Sequence, residues 1–297
     1  MIEIVGGSLL IFLLLGILVQ KSIYKLWDER ACPSYEVEYT KKLTVPNDLE
    51  EIRFLILGDV GSGSEAQKQV SASSFKTCQE KGCDFVVLAG DNFIQYGVTC
   101  TDDEQWITKF ETMYDHDLPF YAILGNHDLK GNWRAQIDYS KVSERWNMPS
   151  ADYSFTVGPV VFNAINTTCS VKSFQNLFNK TESPWRIALG HHPVVSSGRH
   201  GGMTWLEQYL VSKSGIDFFI SGHNHLLEHN ALENYDQIVS GGGGSPIKHS
   251  TKEKLPTTLY FNEIHGYIWA KIDSKRASFH YFDLNGKEIY NFARSKE

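Results

Sequence analysis

The sequence predicts an α/β fold in which several parallel strands end at one shared, ligand-rich edge. Five short apolar runs each lead into a glycine, which is followed by aspartate, asparagine or histidine. Continuous apolar runs are typical of parallel strands that are buried on both faces. Ligand-binding side chains gather beyond the carboxyl ends of such strands. The pattern therefore predicts one site, and its five segments are 54–59, 85–92, 120–128, 187–193 and 218–225.

The motif that anchors this interpretation is Gly125-Asn126-His127-Asp128, which follows the apolar run 120–124. Alone, any one of these motifs would be interpreted as a helix cap or a loop, but five coinciding motifs favour a shared site. The side chains that could bind metal are Asp59, Asp91, Asn126, His191, His223 and His225. Oxygen and imidazole ligands without thiolate suit iron, manganese or zinc. Six candidates exceed the four ligands of one tetrahedral site, so the sequence predicts two metal ions.

Composition limits the classes of protein and partner. A chain of 297 residues suits one large domain or two, and 42% hydrophobic residues are enough for a sizeable core. The net charge of −7 argues against nucleic acid as a partner. Five cysteines neither require nor exclude a disulfide, and their odd number leaves at least one free thiol in a secreted domain.

The N-terminus carries an apolar stretch over residues 4–19, which is shorter than the ~20 residues that span a bilayer. Apolar residues extend it to residue 27, and Lys21 and Lys25 could snorkel to the interface. The sequence thus predicts a single-pass membrane anchor over 1–27, with membrane contact through residues 4–27. A cleaved signal peptide and a buried core helix are the alternatives. A polar linker is expected over 28–50, and the domain is expected over 51–297.

Two signals disagree about the side of the membrane on which the domain lies. Lys21, Lys25 and Arg30 follow the apolar stretch 4–19, which would keep the domain cytoplasmic. The sequons that begin at Asn166 and Asn179 matter only in a lumenal or extracellular domain. The side therefore stays open at this point.

The remaining elements follow from periodicity and turn residues. Helices are predicted over 64–81, over 102–116 with Thr101 or Asp102 as N-cap, over 133–146 and over 203–211. Further strands are predicted over 153–157, 160–162, 266–272, 277–282 and 288–292, with a hairpin at Asn285-Gly286. Residues 167–186 suggest an irregular surface loop. The glycine-rich segment 240–245 indicates either close backbone approach or a flexible loop, and His280 is expected on a sheet face.

These loops resemble the metallophosphoesterase superfamily, and within it the tartrate-resistant (type 5) purple acid phosphatases. The similar motifs are Gly58-Asp59-Val60-Gly61, Gly90-Asp91-Asn92-Phe93, Gly125-Asn126-His127-Asp128, Gly190-His191-His192-Pro193, Ser197-Gly198-Arg199-His200-Gly201 and Gly222-His223-Asn224-His225. The resemblance covers about residues 51–297. It implies a four-layer α/β/β/α sandwich of two mixed sheets, to which the sequence adds the N-terminal membrane helix.

The resemblance also implies roles for the site residues. Asp59, Asp91 and His225 would hold the first metal. Asp91 would bridge to the second metal, which Asn126, His191 and His223 would complete. His127 and His200 resemble the paired catalytic histidines that face the phosphate. Asp128 would either orient a histidine or act as a cap.

The chain departs from the family pattern at the first metal site. Ile94 stands where purple acid phosphatases place an iron-ligating tyrosine, and Gly61 stands where other members of the superfamily place a histidine. The first site then keeps three protein ligands, which predicts weaker binding, no purple colour and a preference against iron(III).

The resemblance implies a metal-dependent acid phosphatase with a monomeric catalytic domain. Two metal ions would lower the pKa of a bound water, and the resulting metal-bound hydroxide would hydrolyse phosphate monoesters. One alternative is a phosphodiesterase or nucleotide pyrophosphatase that uses the same site. The other is a weakly active, membrane-anchored binding module.

Overall fold

The computed structural model describes residues 45–296, except residues 47, 115 and 170. The predicted anchor, residues 1–27, and most of the predicted linker lie outside the described residues. Within the described part of the chain, no helix has the length and apolar character needed to cross a membrane. Val45, which belongs to the predicted linker, is only 7% exposed and packs in the core. The first strand starts at Glu51, at the predicted start of the domain.

Fourteen strands form two mixed sheets in the described chain. They are β1 (Glu51–Leu57), β2 (Phe85–Leu88), β3 (Phe120–Ala122), β4 (Trp146–Asn147), β5 (Tyr153–Val157), β6 (Val160–Ala164), β7 (Trp185–Leu189), β8 (Phe218–Ser221), β9 (Leu227–Ala231), β10 (Asp236–Ser240), β11 (Thr258–Asn262), β12 (Gly266–Asp273), β13 (Arg276–Asp283) and β14 (Glu288–Ser295). The helices are α1 (Glu65–Lys81), α2 (Glu104–Trp106), α3 (Trp133–Tyr139) and α4 (Trp205–Lys213).

Each sheet places parallel strands beside antiparallel ones. The first sheet has the order β14-β13-β12-β1-β2-β3-β4, and β1 to β4 run parallel. The second has the order β11-β9-β10-β8-β7-β6-β5, and β6, β7, β8 and β10 run parallel. All five strands predicted to carry site residues lie in these parallel groups. The predicted α/β fold with two mixed sheets is confirmed.

The two sheets pack face to face through aromatic side chains. Phe54 on β1 stacks on Phe85 at 4.9 Å and meets Phe162 of the second sheet edge-on at 5.5 Å. Helix α1 is joined to the first sheet by a buried 2.8 Å hydrogen bond between Thr77 and the hydroxyl of Tyr267. Burial of these rings contributes about 1.5–3 kcal/mol for each side chain. This core fixes the positions of the strand ends that carry the site.

The helix predicted over 102–116 is shorter and begins later. Asp103 is the N-cap, and its Oδ1 accepts the amide of Gln105 at 3.0 Å. Helix α2 then widens into a π-helical turn, Ile107–Glu111, because the amide of Thr112 bonds to the carbonyl of Ile107. The predicted caps, Thr101 and Asp102, were therefore wrong.

The helix predicted over 133–146 ends at Tyr139, because the chain turns to supply an edge strand. Trp146 and Asn147 form β4, which pairs in parallel with β3. The indole of Trp146 also donates to the carbonyl of Gln136 at 2.7 Å, which draws the chain back over α3. Tertiary pairing thus overrides a local helical pattern.

The segment 167–186 is more ordered than an irregular surface loop. Val171–Phe178 form a 3₁₀ helix. Phe174 is 1% exposed and Leu177 is 0% exposed, so this helix has an apolar face buried under α4. Asn166, in the first sequon, is only 2% exposed, whereas Asn179, in the second, is exposed.

The C-terminal hairpin and the glycine-rich segment adopt conformations that the sequence analysis considered. Gly286 has φ +77°, and its amide bonds to the carbonyl of Asp283, which closes the turn between β13 and β14. In the glycine-rich segment, a Cβ on Gly241 would lie 2.0 Å from the carbonyl oxygen of Asn224. Close backbone approach is therefore the correct interpretation. His280 lies in β13 and pairs with Glu288 at 3.1 Å, as expected for a sheet-face residue.

Among the cysteines that the structure describes, Cys78 and Cys83 form a local disulfide and Cys100 has a free thiol. Cys78, near the end of α1, pairs with Cys83 through an S–S bond of 2.06 Å. Cys100 is free and exposed. A free thiol agrees with the odd number of cysteines in the chain.

Candidate metal centre

Five strand ends bring the predicted ligands together. Asp59 follows β1, Asp91 follows β2, and the remaining ligands follow β3, β7 and β8. Three of these residues adopt positive φ, which is unusual outside glycine: Asp59 at 57°, Asp91 at 53° and His223 at 68°. Such conformations persist where the surrounding structure enforces them, and they cluster at functional sites.

Four predicted ligands of the second metal face one another at short range. Asn126 Oδ1 lies 3.2 Å from His191 Nε2 and 3.0 Å from His223 Nδ1. His191 Nε2 in turn lies 3.4 Å from Asp91 Oδ1. One oxygen thus faces two imidazole nitrogens at a partly buried point. Oxygen and imidazole donors of this kind suit iron, manganese or zinc.

The first site is built around Asp59. Its Oδ1 lies 3.5 Å from His225 Nε2. The same oxygen is buried and accepts no hydrogen bond from the described residues, which is costly unless a cation satisfies it. Ligand atoms of Asp59, Asp91 and His191 all lie within 4.8 Å of one another. The residues present therefore fit a bound metal ion at this point.

Backbone carbonyls orient the imidazole ligands. His191 Nδ1 lies 2.9 Å from the carbonyl oxygen of Ala89, and His225 Nδ1 lies 2.8 Å from that of Pro246. Each Nδ1 donates to its carbonyl, so Nε2 is left free to face the carboxylates. This arrangement is typical of metal-binding histidines.

The electrostatics of the metal-free centre favour a proton on His191. Burial alone lowers the pKa of His191, but the adjacent carboxylates of Asp91 and Asp59 outweigh it and raise the pKa to about 10. Burial raises the pKa of Asp91, but the charge of His191 and its hydrogen bond to Asp91 outweigh burial and lower that pKa. The proton holds a position that a metal cation would take.

Metal binding at pH 7 is therefore expected to release a proton from His191. Because metal needs the unprotonated Nε2, apparent affinity should fall about tenfold for each pH unit below the pKa of that ring. Calorimetric titration of Mn²⁺ or Zn²⁺ in buffers of different ionisation enthalpy measures the released protons directly. Equal apparent enthalpies in all buffers would contradict this assignment.

Asp128 acts as a cap for two loops and orients no histidine ring. Its carboxylate accepts the amides of Asn92, Phe93 and Gly125 at 3.1, 3.1 and 2.8 Å. Gln136 on α3 donates to it at 2.9 Å. Complete burial raises the pKa of Asp128 to about 7. Asp128 thus joins the loop that carries Asp91 to the loop that carries Asn126.

The two predicted catalytic histidines lie in different surroundings. The ring of His200 lies 5.0 Å from that of His223 and 6.3 Å from that of His225. His127 donates its backbone amide to Asp91 at 2.8 Å, while its Nδ1 lies 2.8 Å from the carbonyl oxygen of Gln95. The structure therefore brings the His200 ring against the ligand histidines and ties His127 to the centre through its backbone.

Two residues at the site were not singled out from the sequence. The ring of His192 lies 4.3 Å from that of His223, and burial with the nearby His191 lowers the pKa of His192 to about 3. Asn224 is 1% exposed, and its side chain bonds to the amide of His200 and the carbonyl of Gly201, each at 2.9 Å. The sequence signals for them were the doublet of His191 and His192 and the position of Asn224 between His223 and His225.

The departure at Gly61 has a structural basis. A Cβ on Gly61 would lie 2.1 Å from the carbonyl oxygen of Asn92 and 2.4 Å from Phe93 Cα. The backbone after Asp91 thus occupies the space that a side chain at residue 61 would need. A histidine ligand cannot be accommodated there without moving this loop.

A comparison with known proteins shows to which family this chain belongs. The model of the calcineurin-like phosphoesterases matches residues 52–227. The chain belongs to this family. As a calcineurin-like phosphoesterase it is similar to purple acid phosphatase 4 of Arabidopsis thaliana, with 26% identity over 89% of each chain. It is also similar to tartrate-resistant acid phosphatase type 5 of Homo sapiens, with 27% identity over 80% of this chain and 89% of the relative.

A solved structure has the same fold. It is GAP50, the anchor in the inner membrane complex of Plasmodium, with a TM-score of 0.76 and 24% identity. The match covers 84% of this chain and 90% of that one. The resemblance to purple acid phosphatases is thus confirmed. These relatives and the triad of Asp59, Asp91 and His191 support a metal-dependent phosphoesterase with a dinuclear centre.

Proposed function

We propose that this phosphoesterase is an acid phosphatase that hydrolyses phosphate monoesters at a dinuclear metal centre. The observation that carries the proposal is the meeting of Asn126 Oδ1 with His191 Nε2 and His223 Nδ1 at 3.2 and 3.0 Å, beside the unpartnered Asp59 Oδ1. A buried carboxylate oxygen without a partner, such as Asp59 Oδ1, costs free energy unless a cation satisfies it. This cost is an argument for a resident metal ion.

The proposed ligand sets are those that the family resemblance implies. Asp59, Asp91 and His225 would hold the first metal, and Asp91, Asn126, His191 and His223 would hold the second. When bound, two metal ions supply Lewis-acid charge that binds phosphate oxygens and lowers the pKa of a water toward ~7. Iron, manganese and zinc all suit these donors. Ile94 and Gly61 leave the first site with three protein ligands, which disfavours iron(III) there.

The proposed catalytic residues are His200 and His127. A protonated His200 would donate to the leaving oxygen of the ester, and His127 would contact the phosphoryl group. Burial, with the nearby positive charges of His225, Lys248 and Arg199, lowers the pKa of His200. The protonated fraction of His200 therefore rises as pH falls below its ordinary pKa of ~6.5, which suits activity in acid.

Replacing His200 with alanine is expected to reduce kcat for p-nitrophenyl phosphate by about 10²- to 10⁴-fold, the usual range for a general acid. The rise of kcat toward acidic pH should also disappear. A matched control is His280→Asn, because His280 lies on the sheet face and pairs with Glu288. Wild-type turnover and an unchanged pH profile in the His200→Ala variant would contradict the assignment.

A phosphodiesterase or nucleotide pyrophosphatase on the same centre is the alternative activity. Comparison of p-nitrophenyl phosphate with bis-p-nitrophenyl phosphate separates the two classes. A higher kcat/KM for the monoester supports the proposal, and a higher value for the diester supports the alternative.

A weakly active, membrane-anchored binding module is the second candidate. The observation that favours it is the reduced first site, where Gly61 is crowded by backbone and Ile94 replaces a ligand. GAP50, described as an anchor, provides an example of this fold in a membrane-associated role. We also propose that residues 1–27 anchor the chain and that the catalytic domain is monomeric. A lumenal or extracellular domain is favoured by the acid phosphatase relatives and by the exposed sequon at Asn179.

A further inference from the structure

The rim segment, residues 246–252, borders the metal centre and is fixed in place at two points. The carbonyl oxygen of Pro246 lies 2.8 Å from His225 Nδ1, so the segment begins against a proposed ligand of the first metal. Ser250 Oγ then donates to the carbonyl of Ser197 at 3.0 Å. The rim segment is thus held between the metal centre and the loop that begins at Ser197.

Three basic side chains stand on this border. Lys248 and Lys252 belong to the rim segment, and Arg199 lies on the facing loop directly before His200. Lys252 Nζ lies 3.5 Å from the point where a Cβ on Gly201 would stand, so it reaches the residue that follows His200. Burial is the main cause that lowers the pKa of His200, and the charges of Lys248 and Arg199 contribute in the same direction.

The three cations have no acidic partner in the part of the chain that the structure describes. All three are exposed, and the rim segment contains no aspartate or glutamate. Glu263, which lies beside this segment, is already bonded to His249 at 2.9 Å and to the amide of Ser250. The whole chain has a net charge of −7, so this group of unpaired cations is a local departure from its overall charge. Surfaces of this kind attract anions.

The position of these cations suits an anionic group other than the scissile phosphate. The carboxylates of Asp59 and Asp91 are buried, whereas the three cations are exposed and therefore lie farther toward solvent. A substrate that brings one phosphate to the metals would meet the cations with a second group. The guanidinium of arginine binds phosphate or carboxylate through paired donors, and lysine supplies a mobile point charge.

We propose that Arg199, Lys248 and Lys252 form a subsite for a second anionic group, so that the preferred substrates are phosphate esters that carry another phosphate or carboxylate. The inference rests on the proposed phosphatase function and narrows its substrate class. The three side chains bind charge and take no part in breaking the ester bond.

The test compares two probes that differ by one anionic group, methylphosphonate and methylenebisphosphonate. Calorimetry measures the affinity of each for the metal-loaded full chain at a fixed concentration of free metal. The double variant Lys248→Gln/Lys252→Gln should lower the ratio of the two affinities about 2- to 25-fold, because each exposed ion pair contributes about 1.4- to 5-fold. The double variant Lys248→Glu/Lys252→Glu should lower the ratio further, because like charges repel.

A matched control changes the net charge equally at a distant point. Lys275 and Arg276 are exposed in the turn between β12 and β13. The neighbouring Asp273 pairs with the first residue of β1, whereas the metal centre lies beyond the last residue of that strand. Lys275→Glu/Arg276→Glu should keep the wild-type affinity ratio. An unchanged ratio in Lys248→Glu/Lys252→Glu, or an equal fall in the control, would overturn the subsite.

Failure of the proposed function is distinguishable from failure of this inference, because turnover of p-nitrophenyl phosphate is measured separately from binding. A ratio that falls in the Lys248 and Lys252 variants of a protein without turnover supports the subsite and contradicts the phosphatase. Turnover together with a ratio that these variants leave unchanged supports the phosphatase and overturns the subsite. Absence of methylenebisphosphonate binding in the wild type overturns the subsite as well.

Discussion

Replacement of Asp91 with asparagine is expected to remove both metals and to reduce turnover by more than about 100-fold. Asp91 is 1% exposed, and its Oδ1 lies 3.4 Å from His191 Nε2, at the point where both proposed ligand sets meet. Loss of a residue that only supports a ligand costs about 10- to 100-fold in metal affinity or activity. Loss of a shared ligand should therefore cost more.

Metal content by mass spectrometry and turnover of p-nitrophenyl phosphate measure the two effects of Asp91→Asn. Asp138→Asn is the matched control, because Asp138 is 36% exposed and pairs with Lys141 on the surface. The control should retain wild-type metal content and turnover. If Asp91→Asn retained two metals and full turnover, the assignment of Asp91 as a shared metal ligand would be wrong.

Asp128→Ala is expected to produce the largest loss of stability. Three backbone amides and the side chain of Gln136 donate to this buried carboxylate. Each buried donor left without a partner costs about 1–3 kcal/mol, and partial relaxation gives an expected loss of about 3–5 kcal/mol in the free energy of unfolding. The loops of Asp91 and Asn126 should separate as well, which weakens metal binding.

Denaturant unfolding of the metal-free protein measures the change in free energy. Asp103→Ala is the control, because this partly exposed cap of α2 should lose only about 1 kcal/mol. If the two variants lose the same stability, Asp128 is not the residue that joins the loops.

The five strand ends of the centre could be predicted because their signals are local. An apolar run indicates a buried parallel strand, and glycine followed by aspartate or histidine marks its end. Within each sheet the parallel strands end at one edge, which places Asp59 near Asp91 and His191 near His223. The meeting of these two groups depends on the face-to-face packing of the two sheets, which the local signals do not show. For the glycine-rich segment 240–245 the sequence left close backbone approach and a flexible loop both open, and the structure decided between them.

The residues that organise the centre could not be predicted, because their partners are distant in the chain. Asp128 bonds to amides 35 and 36 residues earlier, and the side-chain oxygen of Asn224 accepts the amide of His200 across 24 residues. Neither pairing leaves a periodic pattern. The helix predicted over 133–146 was wrong for a related reason. Trp146 pairs with β3 as part of a strand, and the helix propensity of the local sequence gives no information about that pairing.

We propose for this chain a dinuclear, metal-dependent phosphatase centre. The most direct test measures metal content by mass spectrometry on the purified protein and p-nitrophenyl phosphate turnover before chelation, after chelation and after metal is restored. We expect about two metals per chain, loss of turnover on chelation, and recovery with iron, manganese or zinc. Absence of bound metal together with absence of turnover, even after each of these ions is added, would contradict the claim and favour the binding module.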